Sequence, residues 1–154
     1  MYIFKDYYNN KVHLSFDDHP FSKDPKHVWV ITKYRSNWLL TEHKERGREF
    51  PGGKVENGET ADAAAIREVK EETGGIVDEL EYIGQYLVNG KSDNVIKNVY
   101  FATVSKLNPQ QTYFETNGPI LINELPANIK NHPSFSFMMK DDVLYYCLKK
   151  ICKL

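Results

Sequence analysis

Cysteine is scarce in this chain: there are two in 154 residues, Cys147 and Cys152. Their spacing suits neither paired zinc ligands nor a C-x-x-C redox motif, so they read as half-buried thiols of a C-terminal amphipathic run. Stability then has to come from an apolar core rather than from disulfides. Long apolar runs are missing too. None approaches the roughly 18 residues of a membrane helix, and Met1 to Lys5 (MYIFK) is not a signal peptide. The expected location is cytoplasmic, with no membrane partner. An excess of one charge is also absent. Twenty Lys and Arg against 21 Asp and Glu leave a net charge of −1, with no basic tail and no repeat, which argues against an extended nucleic-acid surface. A short anionic ligand stays compatible with that balance. At this length a single domain over residues 1–154 buries about 70% of its unfolded surface.

Glycine is sparse as well, nine in all, and three of the nine crowd into Phe50 to Gly58 beside Pro51. That stretch reads as a loop able to turn tightly and bring bare backbone close to a ligand. From Thr60 the composition shifts to Ala, Glu, Arg, Lys, Ile and Val, mostly good helix formers, until Gly74-Gly75 stops the run as a left-handed cap does. The spacing predicts one helix of about four turns. Thr60 fits its N-cap, and Asp62 near the start with Lys70 near the end agrees with the helix dipole.

At 100° per residue, Glu68, Glu71 and Glu72 share one face with the small side chains Ala61, Ala64 and Ala65, leaving Ile66 and Val69 as a narrow stripe for the core. Like charges at that spacing cost a helix roughly 0.2 to 0.5 kcal/mol per pair, so a positive counter-charge is expected. Arg67 and Lys70 would serve that purpose on a solvated helix. The glycine loop ahead of the helix points instead to a hard divalent cation. Mg²⁺ is held by one or two carboxylates, several waters and the phosphates of a substrate. The expected ligands are Glu68, Glu71, Glu72 and the Gly53 carbonyl, with loop N–H groups and the helix N-terminus facing phosphate oxygens.

The same stretch resembles the signature of the Nudix hydrolases, G-x5-E-x7-R-E-U-x-E-E-x-G-U, where U is a bulky aliphatic. Gly53, Glu59, Arg67, Glu68, Val69, Glu71, Glu72 and Gly74 stand in register. Gly75 occupies the last U, and Ile76, one residue later, is expected to take over its packing role. The resemblance implies an α/β fold, the Nudix-type α/β/α sandwich with a mixed central sheet, and a Mg²⁺ cofactor with Mn²⁺ as substitute. Outside the box, Glu49 to Glu56 (EFPGGKVE) resembles the MutT type, which hydrolyses nucleoside triphosphates including oxidised guanine nucleotides. The segments FKDYY, TEHKERGREF, FETNGP and FSFMMKD resemble the YtkD-type group of Gram-positive bacteria, in which nucleotide sanitation and removal of pyrophosphate from RNA 5′ ends are both described. The family often adds a loop glutamate after the motif as metal ligand or base. Glu115, beside a glycine turn, is the candidate here, and an ordinary surface acid is the alternative.

The rest of the chain reads as strands around that motif. Tyr2 to Tyr8 and Val12 to Phe16 form a hairpin-like pair. His27 to Tyr34 is apolar on both alternations like a buried strand, and Trp38 to His43 follows it. Leu80 to Val88, Val95 to Val104 and Ile120 to Ile122 extend the sheet, and Asp141 to Leu154 is a helix packing on it. Asp17, Asp18 and His19 read as local turn chemistry. Lys44, Arg46 and Arg48, with Lys54, either form a solvated turn or lean toward the phosphates of a substrate. Phe135, Phe137 and Met139 are core residues or face a base, with Phe137 carried as a substrate contact.

The reaction implied is attack of water on the second phosphate of a 5′-triphosphate, giving a 5′-monophosphate and pyrophosphate. Glu72 or Glu71 takes the proton, Arg67 orients a glutamate, and Glu59 fixes the loop or the helix start. The substrate is a nucleoside triphosphate or an RNA 5′ end, and the protein is a monomer or homodimer. The rival readings are a Nudix enzyme for ADP-ribose or a dinucleoside polyphosphate, and a silent nucleotide-binding module.

Overall fold

The computed structural model describes residues 1–152. In chain order these hold β1 (Tyr2–Lys5), β2 (Lys11–Ser15), β3 (His27–Tyr34), β4 (Asn37–His43), β5 (Gly47–Glu49), β6 (Gly52–Lys54), α1 (Ala61–Thr73), β7 (Gly75–Asn89), β8 (Asn94–Leu107), β9 (Thr116–Ile122) and α2 (Asp142–Cys152). The strands run β1-β2-β7-β8-β3-β4-β5, with β6 added to β3 and β9 to β4. β3 and β8 are parallel, Val30 opposite Tyr100. The neighbouring pairs are antiparallel, so the sheet is mixed.

Alternation along the central strands assigns the two faces. Val28 and Val30 of β3, Leu39 of β4 and Tyr100 and Ala102 of β8 pack on Ala64, Ala65 and Val69 of α1. Trp29, Ile31, Leu40 and Val99 point the other way, against Val143, Leu144, Cys147 and Ile151 of α2. The result is the α/β/α sandwich expected from the sequence. Cys147 is buried in that second layer, Cys152 is exposed, and both thiols are free. Among the described residues no helix is long and apolar enough to cross a membrane.

One edge of β3 is shared between two strands, and that split makes the site. β3 pairs with β4 only at Lys33–Trp38 and Tyr34–Asn37. At its other end it pairs with β6, Val28 opposite Gly53 and Trp29 opposite Gly52, while Val30 N–H donates to Pro51 O at 2.8 Å. β4 meanwhile turns away to pair with β5 and β9. The stretch expected to be only a loop is therefore partly a strand, three residues long. Likewise the cationic turn after β4 carries β5.

Helix α1 departs from expectation on its core face. Ala64, Ala65, Val69, Glu72 and Thr73 are its buried residues, whereas Ile66 is 44% exposed. Small side chains bring the helix close to the sheet, and Glu68 and Glu72 continue the same stripe by one and two turns. Thr60 caps the start, its side chain accepting from Ala63 N–H at 3.1 Å. Gly74 ends the helix at φ 77° with its N–H on Lys70 O. Ile76 does not take the place of the signature's last aliphatic; it is exposed, and Gly75 is the buried residue. A Cβ on Gly75 would stand 2.9 Å from Thr73 Oγ1 and 3.2 Å from Val69 and Val104, so no bulky side chain fits there. β7 starts directly at Gly75, five residues before the predicted strand.

Gly74 should tolerate no substitution. A Cβ there would collide with the Asn108 backbone oxygen, in addition to the about 1–2 kcal/mol an L-residue loses in the left-handed region. Gly74→Ala is expected to lower unfolding free energy by about 2 kcal/mol or more, read by urea denaturation.

Candidate active site

A cavity of about 910 Å³ opens at the split edge of the sheet, where α1 faces β6. Its α1 wall carries Arg67, Glu68, Glu71 and Glu72, its floor Gly52 and Gly53, and its far wall Arg46, Glu49, Lys97 and Phe137. The three helix acids predicted as metal ligands thus line one cavity with Gly53, and Glu68 is the one against it.

Arg67 organises those acids. Its Nε and Nη2 donate to Glu59 at 2.8 and 3.0 Å, its Nη1 to Glu68 at 2.6 Å and to Glu71 at 3.0 Å, and its Nη2 also to Lys54 O at 2.9 Å. Glu59 accepts in addition from Glu56 N–H at 3.0 Å. The planar guanidinium suits this fork, which ties the loop after β6 to the helix. Glu59, followed by Glu71 and Glu68, holds the Arg67 pKa above its ordinary value.

Glu72 behaves differently. It is 8% exposed, and its Oε1 is buried without a hydrogen-bond partner. Burial first, then the adjacent Glu68 carboxyl, push its pKa well above the carboxylate range. Burial also raises Glu68, against the pull of Arg67. A buried carboxyl oxygen without a partner is costly unless something positive meets it.

These features fit a hard divalent cation. Gly53 leaves free a space where a Cβ would lie 2.6 Å from Glu68 Oε2, and the donor set is all oxygen, as Mg²⁺ requires. Among the described residues no three acidic, histidine or cysteine side chains already form a ready-made cation site. The Arg67 guanidinium bonds Glu68 and Glu71. Gly53→Ala puts a methyl group into the Glu68 carboxylate, which is the mobile end of a side chain. The expected result is a metal-activation midpoint raised about tenfold, by roughly 1.4 kcal/mol, with thermal stability nearly unchanged, measured by titrating Mg²⁺ against activity.

The other predicted contacts divide. Arg46, Lys54, Phe137 and Glu115 line the cavity. Lys44 and Arg48 do not: Lys44 is exposed in the turn after β4, and Arg48 lies next to Glu49 on β5, where alternation turns it to the opposite side. Phe135 and Met139 belong to the core on the α2 face.

Three cavity residues escape the sequence reading. Glu49 is 3% exposed and takes a two-bond fork from Arg46, 3.0 Å from Nε and 2.8 Å from Nη2. Lys97 stands on β8 beside His27 and Tyr86 in adjacent strands; burial lowers its ammonium pKa to about 8. His27 is lowered as well, by burial and then by Lys97 and Lys54. The available signals were a lysine inside the largely apolar run Val95 to Val104 and an acid just before the Phe-Pro-Gly-Gly run.

A NUDIX domain model matches residues 23–122. The chain is 60% identical over 151 residues to the Bacillus subtilis (strain 168) protein YtkD, provisionally named an 8-oxo-dGTP diphosphatase; the match covers 98% of this chain and 96% of that one. The structure superposes on the E68A mutant of the Bacillus subtilis pyrophosphohydrolase BsRppH with a TM-score of 0.98 at 59% identity, covering 99% of this chain and 97% of the other. A NUDIX hydrolase from Nitrosomonas europaea shares the fold alone, with a TM-score of 0.67 at 19% identity over 85% of this chain and 90% of that one.

Proposed function

The chain belongs to the NUDIX family of hydrolases, and from that premise we propose that it is a Mg²⁺-dependent pyrophosphohydrolase of 5′-triphosphates. Its substrates are nucleoside triphosphates such as 8-oxo-dGTP and dGTP, or the triphosphorylated 5′ ends of RNA. The observation that carries this reading is the buried, unpartnered Glu72 oxygen set beside Glu68, whose carboxylate in turn faces Gly53.

Glu68, Glu71, Glu72 and the Gly53 carbonyl would hold the ion, with Mn²⁺ as substitute. A bound divalent cation supplies Lewis acidity and lowers the pKa of a coordinated water. Glu72 or Glu71 accepts the proton of the attacking water, and Glu115 is a further candidate from the loop before β9. Arg67 positions Glu68 and Glu71 through its bonds to Glu59 and the Lys54 carbonyl. Arg46 and Lys54 place cationic charge beside the phosphates, and Phe137 offers a ring to the base. Water oxygen bonds to the second phosphorus and the bond from that phosphorus to the bridging oxygen breaks. The products are a 5′-monophosphate, pyrophosphate and a proton.

The test is a competition with Mg²⁺ among equal amounts of 8-oxo-dGTP, dGTP, ADP-ribose and a short triphosphorylated RNA, with products separated by ion exchange. Pyrophosphate from the triphosphates at higher kcat/KM than any cleavage of ADP-ribose is expected. Preferential formation of AMP and ribose phosphate would overturn the proposal.

A further inference from the structure

The turn between β4 and β5, residues 44–46, carries Arg46, one of the cations that line the cavity. Its two ends are tied to other parts of the molecule. Lys44 N–H donates to Glu115 O at 3.3 Å, and Arg48 N–H donates to Ser134 O at 2.9 Å. Gly47, at φ 95°, lies so close to the same segment that a Cβ would stand 2.6 Å from Ser134 O. The middle of the turn depends on a side chain instead. His43 is the last residue of β4, and its Nδ1 accepts from both Glu45 N–H and Arg46 N–H at 3.2 Å. Among the described residues neither of those N–H groups has a main-chain acceptor.

Acceptance at Nδ1 needs a lone pair there, so the ring proton sits on Nε2. Arg46 is thereby held from two directions. The imidazole fixes the main chain from which the side chain departs, while Glu49 fixes the guanidinium at 3.0 Å from Nε and 2.8 Å from Nη2. Glu49 is a firm anchor, 3% exposed and opposite Thr41 of β4. The fork uses Nε and Nη2, which leaves Nη1 for a phosphate. A guanidinium whose stem and head are both placed in advance loses little freedom when it meets an anion.

We propose that His43 is a positioning residue: its Nδ1 caps the turn after β4 so that Arg46 meets the substrate phosphates from a fixed place. The inference rests on the triphosphate reading above and adds to that site a side chain outside the cavity wall. Water competes for both N–H groups at an exposed turn, so the two bonds contribute little to stability. Their effect falls on the ordering of Arg46, and a loss of binding common to ground and transition states appears in KM rather than kcat.

A packing role for the ring is the rival account, since His43 lies opposite Gly47 and Thr116 in the neighbouring strands. Two substitutions separate acceptor from bulk. In asparagine the side-chain oxygen stands one bond from Cγ, as Nδ1 does, and it commonly accepts from the N–H two residues on. Phenylalanine keeps a ring and has no acceptor. Steady-state kinetics on dGTP with Mg²⁺ compares the wild type with His43→Phe and His43→Asn, each also in an Arg46→Ala background. His43→Phe is expected to raise KM about fivefold with kcat within about twofold and the melting temperature unchanged. His43→Asn should match the wild type, and His43→Phe should add nothing once Arg46 is alanine. A loss in His43→Asn as large as that in His43→Phe, an undiminished effect without Arg46, or no effect in any variant would overturn the proposal. If the wild type cleaves no triphosphate, the functional reading fails, and calorimetric binding of inorganic tripolyphosphate without metal decides the positioning role separately. Weaker binding by His43→Phe than by wild type and His43→Asn supports it, and equal or absent binding removes it.

Discussion

Glu72→Gln should lower kcat about 10³-fold, near 4 kcal/mol of barrier, while the metal-free protein keeps its fold and melting temperature. The two halves of this expectation share one cause. Burial first, then Glu68, favour the neutral form of the Glu72 carboxyl, and an amide reproduces the shape of a neutral carboxyl while retaining a donor toward Glu68. During turnover the amide neither accepts a proton from water nor offers an anionic oxygen to a cation. Steady-state kinetics with Mg²⁺ in excess, combined with calorimetry in chelator, measures both. Near-normal turnover would remove Glu72 from the catalytic set.

Arg67→Ala should act through position and charge together. The guanidinium binds Glu59, Glu68, Glu71 and the Lys54 carbonyl, and the acid side chains are only 15%, 13% and 29% exposed. Removing it leaves three crowded carboxylates without their counter-charge. A fall of about 10²-fold in kcat/KM, or about 2.7 kcal/mol, is expected. A stability loss of about 1–3 kcal/mol should accompany it, below the range for fully buried pairs because these groups keep some water. Arg67→Lys should not restore activity, because one ammonium cannot replace the fork. A purely structural role would lower stability without moving the metal-activation curve; the account expects that midpoint to change. The assay pairs a Mg²⁺ titration with urea unfolding.

The parts of this molecule that repeat locally were the parts legible in the sequence. Periodicity and caps placed α1 and gathered Glu68, Glu71 and Glu72 with Gly53, because helix spacing and chain order decide those neighbours. β6 was missed because three residues cannot display alternation, and its pairing with β3 is decided by where β4 diverges. The alanines were read as sharing the face of the acids, yet Ala64 and Ala65 are the contact with the sheet, since a close approach needs small side chains. Gly75 against Ile76 followed from the same closeness: Thr73, Val69 and Val104 leave no room for a side chain. Glu49 and Lys97 acquire their neighbours only through strand pairing, Thr41 with Glu49 and Lys97 with Tyr86. Lys44 and Arg48 look equivalent to Arg46 as a run of cations, and the geometry of a turn entering a short strand separates them.

The most direct measurement is hydrolysis of dGTP in ¹⁸O-labelled water with Mg²⁺, with both products weighed by mass spectrometry. The account predicts dGMP without label and pyrophosphate carrying one ¹⁸O, from attack at the second phosphorus. Release of orthophosphate with dGDP, or label retained in dGMP, would contradict it.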